Sequence, residues 1–252
     1  MQHSTEVSGA VAQVCLLAGK IMLENGGETY RVEDTMARIA ASFGIQSSHS
    51  FVTPTGILFS IEGAEPATRL VRISQRSTDL SKVALVNEIS RRIGQGEMTV
   101  TEAYGQLAAA SRAKPVYSVH WQVAAAAIAS GCFLLMYQGR LADVPAAVVA
   151  GGTGYYVAAT VGRLLSIKFF AELLASFVIG LLSFLSVRSG FGRDLDLIMI
   201  GSVMPLVPGL LITNAVRDLM AGHLVSGISK GAEALLTAFA IGAGVALVLT
   251  LN

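Results

Sequence analysis

Hydrophobic and polar positions fall into two patterns along the chain. Up to residue 114, apolar residues recur at helical or alternating spacing with charged residues between them. Beyond it come five runs almost free of charge, at about 117–138, 143–162, 168–187, 196–214 and 232–251. A helix that crosses a bilayer needs ~20 mostly apolar residues, which is the length of each run. Lys168 and Glu172 interrupt the start of the third, and Glu233 stands at the entry of the fifth. The pattern predicts a membrane protein: a small α+β cytoplasmic domain, 1–114, then an α-helical five-span transmembrane domain, 115–252, joined at Pro115.

The first part predicts the order α-α-β-β-β-α-α. Its first helix covers about 7–24. The stretch Asn25-Gly26-Gly27-Glu28 reads as a stop and then a capping box, with Asn25 as N-cap and Glu28 at N3. The second helix aligns Val32, Met36, Ile39 and Phe43 on one face, and Gly44 ends it. Strands are expected at 49–53, 56–61 and 68–74, with turns at Pro54-Thr55 and Glu62-Gly63. Helices at about 78–93 and 99–110 follow, the last opened by a capping box of Thr99 and Glu102.

Composition sharpens this division. The chain is 53% hydrophobic and only 14% charged, where soluble domains carry about 25% charge. Too little charge is present to coat a globule of this size. That excludes a disordered chain, a coiled coil and most soluble enzymes. A formal net charge of +1 leaves no field to hold nucleic acid. Residues 116–252 hold 16 of the 26 glycines. Gly151, Gly152 and Gly154, then Gly227 and Gly231, then Gly242 and Gly244 suit close helix packing in lipid.

Loop charges give an orientation. Arg112, Lys114, Arg163, Lys168, Arg217 and Lys230 would lie inside, against Arg140, Arg188 and Arg193 outside. By the positive-inside rule the N-terminus is cytoplasmic and the C-terminus outside. The opening residues lack the basic start of a secretory signal.

The chemistry-bearing residues are few. Cys15 and Cys132 have apolar neighbourhoods and no CxxC spacing, so two buried free thiols are expected rather than a disulfide scaffold or a zinc site. His3, His49, His120 and His223 are too scattered for a metal, and neither metal nor cofactor is expected. Residues 1–114 contain no P-loop, nucleophile elbow or HExxH motif. Glu24, Glu28 and Arg31 surround the Gly26-Gly27 turn, with Glu33, Asp34 and His49 as further acid/base candidates. They make either a small-molecule pocket or a solvated face with helical ion pairs such as Glu28–Arg31.

The fourth run is the most informative. Pro205, Pro208 and Gly209 stand together inside it and predict a broken helix. Freed backbone groups are tolerated at membrane depth only inside protein or facing water. Transporters aim such half-helix N-termini at anionic groups, and Pro208 suits the N1 position of the second half. Thr213, Asn214 and Arg217 share its face, and Asp218 follows. Arg217 would pair with Asp218, Glu172 or Glu233, unless Arg217 and Asp218 lie in a surface loop.

The string Leu206-Val207-Pro208-Gly209, then Thr213-Asn214, Arg217-Asp218-Leu219, Gly222, Gly227 and Glu233-Ala234 resembles the threonine/serine exporter family. The stretch Glu24-Asn25-Gly26-Gly27-Glu28-Thr29-Tyr30-Arg31 is similar to that family's cytoplasmic-domain signature. His223 stands where the resemblance leads one to expect an acidic residue. Full-length members carry two five-span modules, so the chain resembles the larger component of the split, two-chain form, whose partner is a small five-span membrane protein. The resemblance implies export of threonine and serine, or of dicarboxylates such as succinate. The sequence therefore reads as a subunit of a secondary transporter in the bacterial inner membrane. Its small-molecule substrate would bind near the break, and homo-oligomers would cover its exposed surface. The alternative is a membrane-anchored hydrolase or ligand sensor that works through its N-terminal domain.

Overall fold

The computed structural model describes residues 2–62, 67–114, 117–165, 167 and 169–250. Gly63, Pro115 and Lys168, to which the sequence reading gives a turn, a junction and an orienting charge, lie outside these residues. In chain order come α1 Gln2–Glu24, α2 Thr29–Ser42, β1 Ser48–Thr53, β2 Gly56–Ile61, β3 Ala67–Arg72, α3 Leu80–Gly94 and α4 Val100–Arg112. Then follow α5 Val119–Met136, α6 Val144–Leu164, α7 Phe170–Arg188, α8 Leu195–Val203, α9 Gly209–Met220 and α10 Leu224–Leu249. Single 3-10 turns occupy Leu141–Asp143 and Met204–Leu206. Two compact units form: residues 1–115 with 210–231, and residues 116–209 with 232–252. Residues 210–231, in the stretch the sequence assigns to the membrane, pack within the first unit.

The first unit is built on an antiparallel sheet of order β1-β2-β3. Alternation along β2 buries Ile57, Phe59 and Ile61 and leaves Leu58 exposed. The helices cover the buried face. α1 contributes Val11, Val14, Cys15, Ala18 and Met22, and α2 contributes Val32, Met36 and Ile39. At Gly19 a Cβ would stand 2.5 Å from Met36 Sδ, so its missing side chain permits the α1–α2 approach. Val83, Val86, Ile89 and Ile93 give α3 one apolar stripe at helical spacing. Thr99 and Glu102 complete the expected capping box at α4.

In the second unit small residues set the packing. A Cβ at Gly151 would run into Ser130, one at Gly154 into Ile179, and one at Gly244 into Ser176 and Leu173. These glycines let helices approach as lipid-embedded bundles require. Gly242 has open space and plays no such part. Cys132 is exposed on α5, not buried as expected, because an apolar side chain on a lipid-facing helix needs no protein cover.

Among the described residues, four helices are long and apolar enough to cross a membrane: α5, α6 with its preceding 3-10 turn, α7 and α10. A fifth crossing is counted if the bent pair Leu195–Leu206 and Gly209–Met220 is one span. The expected break is thus present. Pro205 lies in the 3-10 turn, and Pro208 precedes α9 rather than filling its N1 position, which Gly209 takes. α10 starts at Leu224, earlier than the apolar run itself, and brings Ser226 and Lys230 into helix.

Candidate functional site

The site lies in the first unit, where the turn between α1 and α2 meets α9 and the start of α10. α1 ends at Glu24, and the Asn25 side chain donates back to the Ile21 carbonyl at 2.7 Å. Asn25 therefore closes α1 and does not cap α2 as expected. Gly26 turns the chain at φ 94°, a left-handed conformation open to glycine. Glu28 is the residue before α2, extended, and its side chain makes no capping bond.

The opening amide of α2 is capped from far along the chain. Thr29 N–H donates to Asp218 Oδ1 at 2.9 Å, and the Thr29 hydroxyl donates to Asp218 Oδ2 at 2.9 Å. Lys230 Nζ donates to the same Oδ2 at 2.7 Å and to Thr29 Oγ1 at 3.1 Å. Asp218 is fully buried and Lys230 is 4% exposed. A carboxylate here meets the positive end of the α2 dipole and an ammonium together. Removing one member of a buried pair leaves the other uncompensated, at about 3–5 kcal/mol.

Glu28 is freed for a different task. Its Oε1 accepts from Arg217 Nη1 at 2.6 Å, and its Oε2 accepts from Arg31 at 3.4 Å. The carboxylate is almost buried, whereas the Arg217 side chain is 55% exposed. The expected partner Asp218 instead pairs with Lys230, so the Arg217 pairing is corrected to Glu28. Asn214, one turn before Asp218, donates to the Gly26 carbonyl at 2.8 Å.

α9 is polar inside and apolar outside. Asn214, Ala215 and Asp218 are buried, while Ile212, Val216, Leu219 and Met220 are exposed. This inverts a soluble amphipathic helix and suits apolar surroundings. Thr213 shares the exposed stripe with Arg217.

A second set of contacts holds the turn into α10. Glu33 Oε1 accepts the Val52 amide at 2.9 Å and stands 3.8 Å from His223 Nδ1. Ser226 Oγ donates to the Val52 carbonyl at 3.0 Å. Burial pushes the Glu33 carboxyl above its usual range, while the Val52 hydrogen bond and His223 oppose the shift.

The structure brings Glu28, Arg31, Asn214, Arg217 and Asp218 to one place. Glu24 stands apart from them, paired with Lys20 at 3.8 Å. Glu172, in the first turn of α7, and Glu233, in α10, belong to the second unit, as do Pro205, Pro208 and Gly209. Sequence reasoning missed Thr29 and Lys230 as site residues. Lys230 reads as an orienting surface charge, and only its burial identifies it.

The family model described as "Putative threonine/serine exporter" matches residues 13–252. The chain is 26% identical over 250 residues to the "Probable succinate transporter subunit YjjP" of Escherichia coli (strain K12), covering 98% of this chain and 96% of that protein. It is 24% identical over 254 residues to the protein of the same description in Klebsiella aerogenes, covering 100% and 97%. It is 23% identical over 246 residues to the "Probable threonine/serine exporter" of Mycobacterium tuberculosis, covering 93% of this chain but 45% of that protein. No solved structure matches.

Proposed function

The chain belongs to the threonine/serine exporter family, and from that premise we propose that it is a subunit of a secondary transporter exporting small carboxylate-bearing metabolites. The family and the apolar helices make it a multi-pass membrane protein of a transporter family. The observation that carries the finer reading is the Arg217–Glu28 pair, a largely exposed guanidinium on an almost buried carboxylate.

Arg217 offers a planar fork that matches a carboxylate, and a substrate carboxylate would exchange with Glu28 for it. The exchange leaves Glu28 with Arg31, so no buried charge is stranded. α9 itself starts directly after Pro208, and its amino end carries a partial positive charge of roughly half a unit. Substrate drawn by Arg217 would pass towards that end. The Asp218–Lys230–Thr29 group keeps α9 and α10 seated on α2 while this happens.

The relatives named as a subunit support a partner. A second, small five-span membrane protein would complete the ten spans of a transport unit. Six Lys and Arg on proposed inner loops against three on outer ones support a reading with the N-terminal domain in the cytoplasm of a bacterium, under the inner membrane.

The test is flux in liposomes. With its five-span partner the chain should move a labelled small carboxylate, and alone it should not. Arg217→Lys should lower flux about ten- to hundredfold, the worth of a charge-assisted contact of about 1.5–3 kcal/mol, and Arg217→Ala at least as much. Normal flux by Arg217→Ala at wild-type abundance would reduce Arg217 to a surface charge.

A further inference from the structure

A second polar site lies in the first unit, on the other side of the turn that anchors α9. It is a cleft of about 220 Å³ between the end of α1 and the start of α3, with Ile21 and Asn25 in its wall. Three charged side chains, all half-buried, reach it: Glu24, Arg76 and Lys82. The wall is held rigidly. Ser77 N–H donates to the Glu24 carbonyl at 2.7 Å, Ser77 Oγ to Asn25 Oδ1 at 3.1 Å, and Asp79 N–H to the Asn25 carbonyl at 3.2 Å.

We propose that this cleft binds a small zwitterion, with its carboxylate on Arg76 and Lys82 and its ammonium on Glu24. Glu24 also meets Lys20 at 3.8 Å, and Lys82 Nζ donates to the Ser111 carbonyl at 3.4 Å, contacts that a ligand would share; two cations and one carboxylate lining one cleft favour a ligand that carries both signs with an excess of acceptor oxygen. The volume suits its size. At about 220 Å³ the cleft is smaller than the ~300–1,000 Å³ pockets of drug-sized ligands, which suits a ligand of amino-acid size. None of its charged residues belongs to the Arg217 cluster.

The cleft is one residue from the α9 anchor. Asn25 forms its wall, and the next carbonyl, of Gly26, accepts the Asn214 side chain. A ligand that tightens the wall at Asn25 and Ser77 therefore holds the residues on which α9 is pinned. The site is thus suited to an effector that reports the cytosolic level of such a metabolite to the transport helix. That consequence rests on the transport reading above, whereas binding at the cleft does not.

Calorimetry on the purified full chain tests it with L-alanine and β-alanine, and with propionate and ethylamine, which keep only one of the two charges. Expected is saturable binding of at least one of the zwitterions, with propionate and ethylamine about tenfold weaker or more, as loss of one charge-assisted contact requires. Arg76→Gln and Lys82→Gln should each weaken zwitterion binding by a similar factor. Glu24→Gln should weaken it too, while leaving propionate unchanged. Arg217→Ala, outside the cleft, should bind as wild type even where its flux is lost. Circular dichroism and size exclusion establish that each variant is folded. The proposal falls if neither zwitterion binds at millimolar concentration, or if propionate binds as well as they do. It falls equally if folded cleft variants bind normally, or if binding disappears with Arg217→Ala.

Discussion

Asp218 accepts the first amide of α2, from Thr29, at 2.9 Å across 189 positions of sequence. A cap is ordinarily local, supplied by the residue just before the helix. Here that residue is Glu28, whose carboxylate goes to Arg217 and Arg31. The cap thus ties α9 to α2, and Lys230 ties α10 to both. Asp218→Asn and Lys230→Met should each destabilise the folded chain by about 3–5 kcal/mol, because each strands a buried partner. The double variant Asp218→Asn/Lys230→Met should lose clearly less than the sum. Thermal unfolding of the purified variants measures the difference, and strict additivity would show that the two side chains do not interact.

Glu28 sits between two guanidiniums, and in the transport reading it competes with substrate for one of them. Glu28→Gln keeps the shape but surrenders the charge that holds Arg217. Substrate carboxylate should then bind Arg217 about tenfold more tightly, by the same charge-assisted contact that Glu28 had made. Turnover should fall, since release now lacks a competing carboxylate. The expected signature is a lower KM with a lower kcat for flux. An unchanged KM would place substrate elsewhere.

Much of this arrangement is written in local sequence, and part is not. Thr99 and Glu102 lie within one turn of each other, so their capping box could be read directly. The strand at 56–61 could be placed from the turns around it in the same way, though not which of its sides is buried. Asn25 misled because it has the right chemistry for a helix start. Gly26, at φ 94°, turns the chain between Asn25 and α2, and leaves Asn25 to bond the carbonyl of Ile21. The Asp218–Lys230–Thr29 group was illegible for another reason. Its members come from three helices, and a cation near an apolar run reads locally as an orienting charge. The place of α9 was half legible: two prolines predicted the break, but not that Asn214 and Asp218 would face inward.

Orientation is open to a direct measurement. In the sequence reading, inner-loop Lys and Arg outnumber outer ones by six to three, and five spans are expected. A reporter fused after Asn252, which lies outside the described residues, should be active only on the outer side of the membrane. Activity only in the cytoplasm would mean an even number of crossings, with the bent pair of α8 and α9 re-entrant.

The two thiols should behave very differently. Cys15 is fully buried in α1, and burial pushes its thiol up to about 12. At pH 8 only about one such group in ten thousand is thiolate, the reactive form. Cys132 is exposed on α5. N-ethylmaleimide should therefore modify Cys132 of the folded, detergent-solubilised chain and leave Cys15 untouched. The variant Cys132→Ser should take up label only after denaturation. Labelling of Cys15 in the native chain would contradict the packing of α1 against the sheet.

Glu33 gives the first unit a dependence on pH whose sign follows from its surroundings. Burial raises its carboxyl above the ordinary 4.5 and the Asp218 charge adds to this, while the Val52 amide and His223 pull it down. A carboxyl that is raised on folding holds its proton more tightly in the folded chain than in the unfolded one. Its contribution to stability is therefore complete below about 4.5 and is lost as pH rises through the folded value. Glu33→Gln retains an oxygen for the Val52 amide but cannot ionise. It should gain stability relative to wild type as pH climbs from acid to neutral, seen as a growing difference in Tm across that window. His223→Gln should do the reverse to the chain that keeps Glu33. It removes a pull towards the ionised form, so the folded value rises further and the loss of stability towards neutral pH steepens. A difference between wild type and Glu33→Gln that shrinks with rising pH would mean that His223 and the Val52 amide outweigh burial, and that Glu33 is a stabilising anion of α2 facing the turn between α9 and α10.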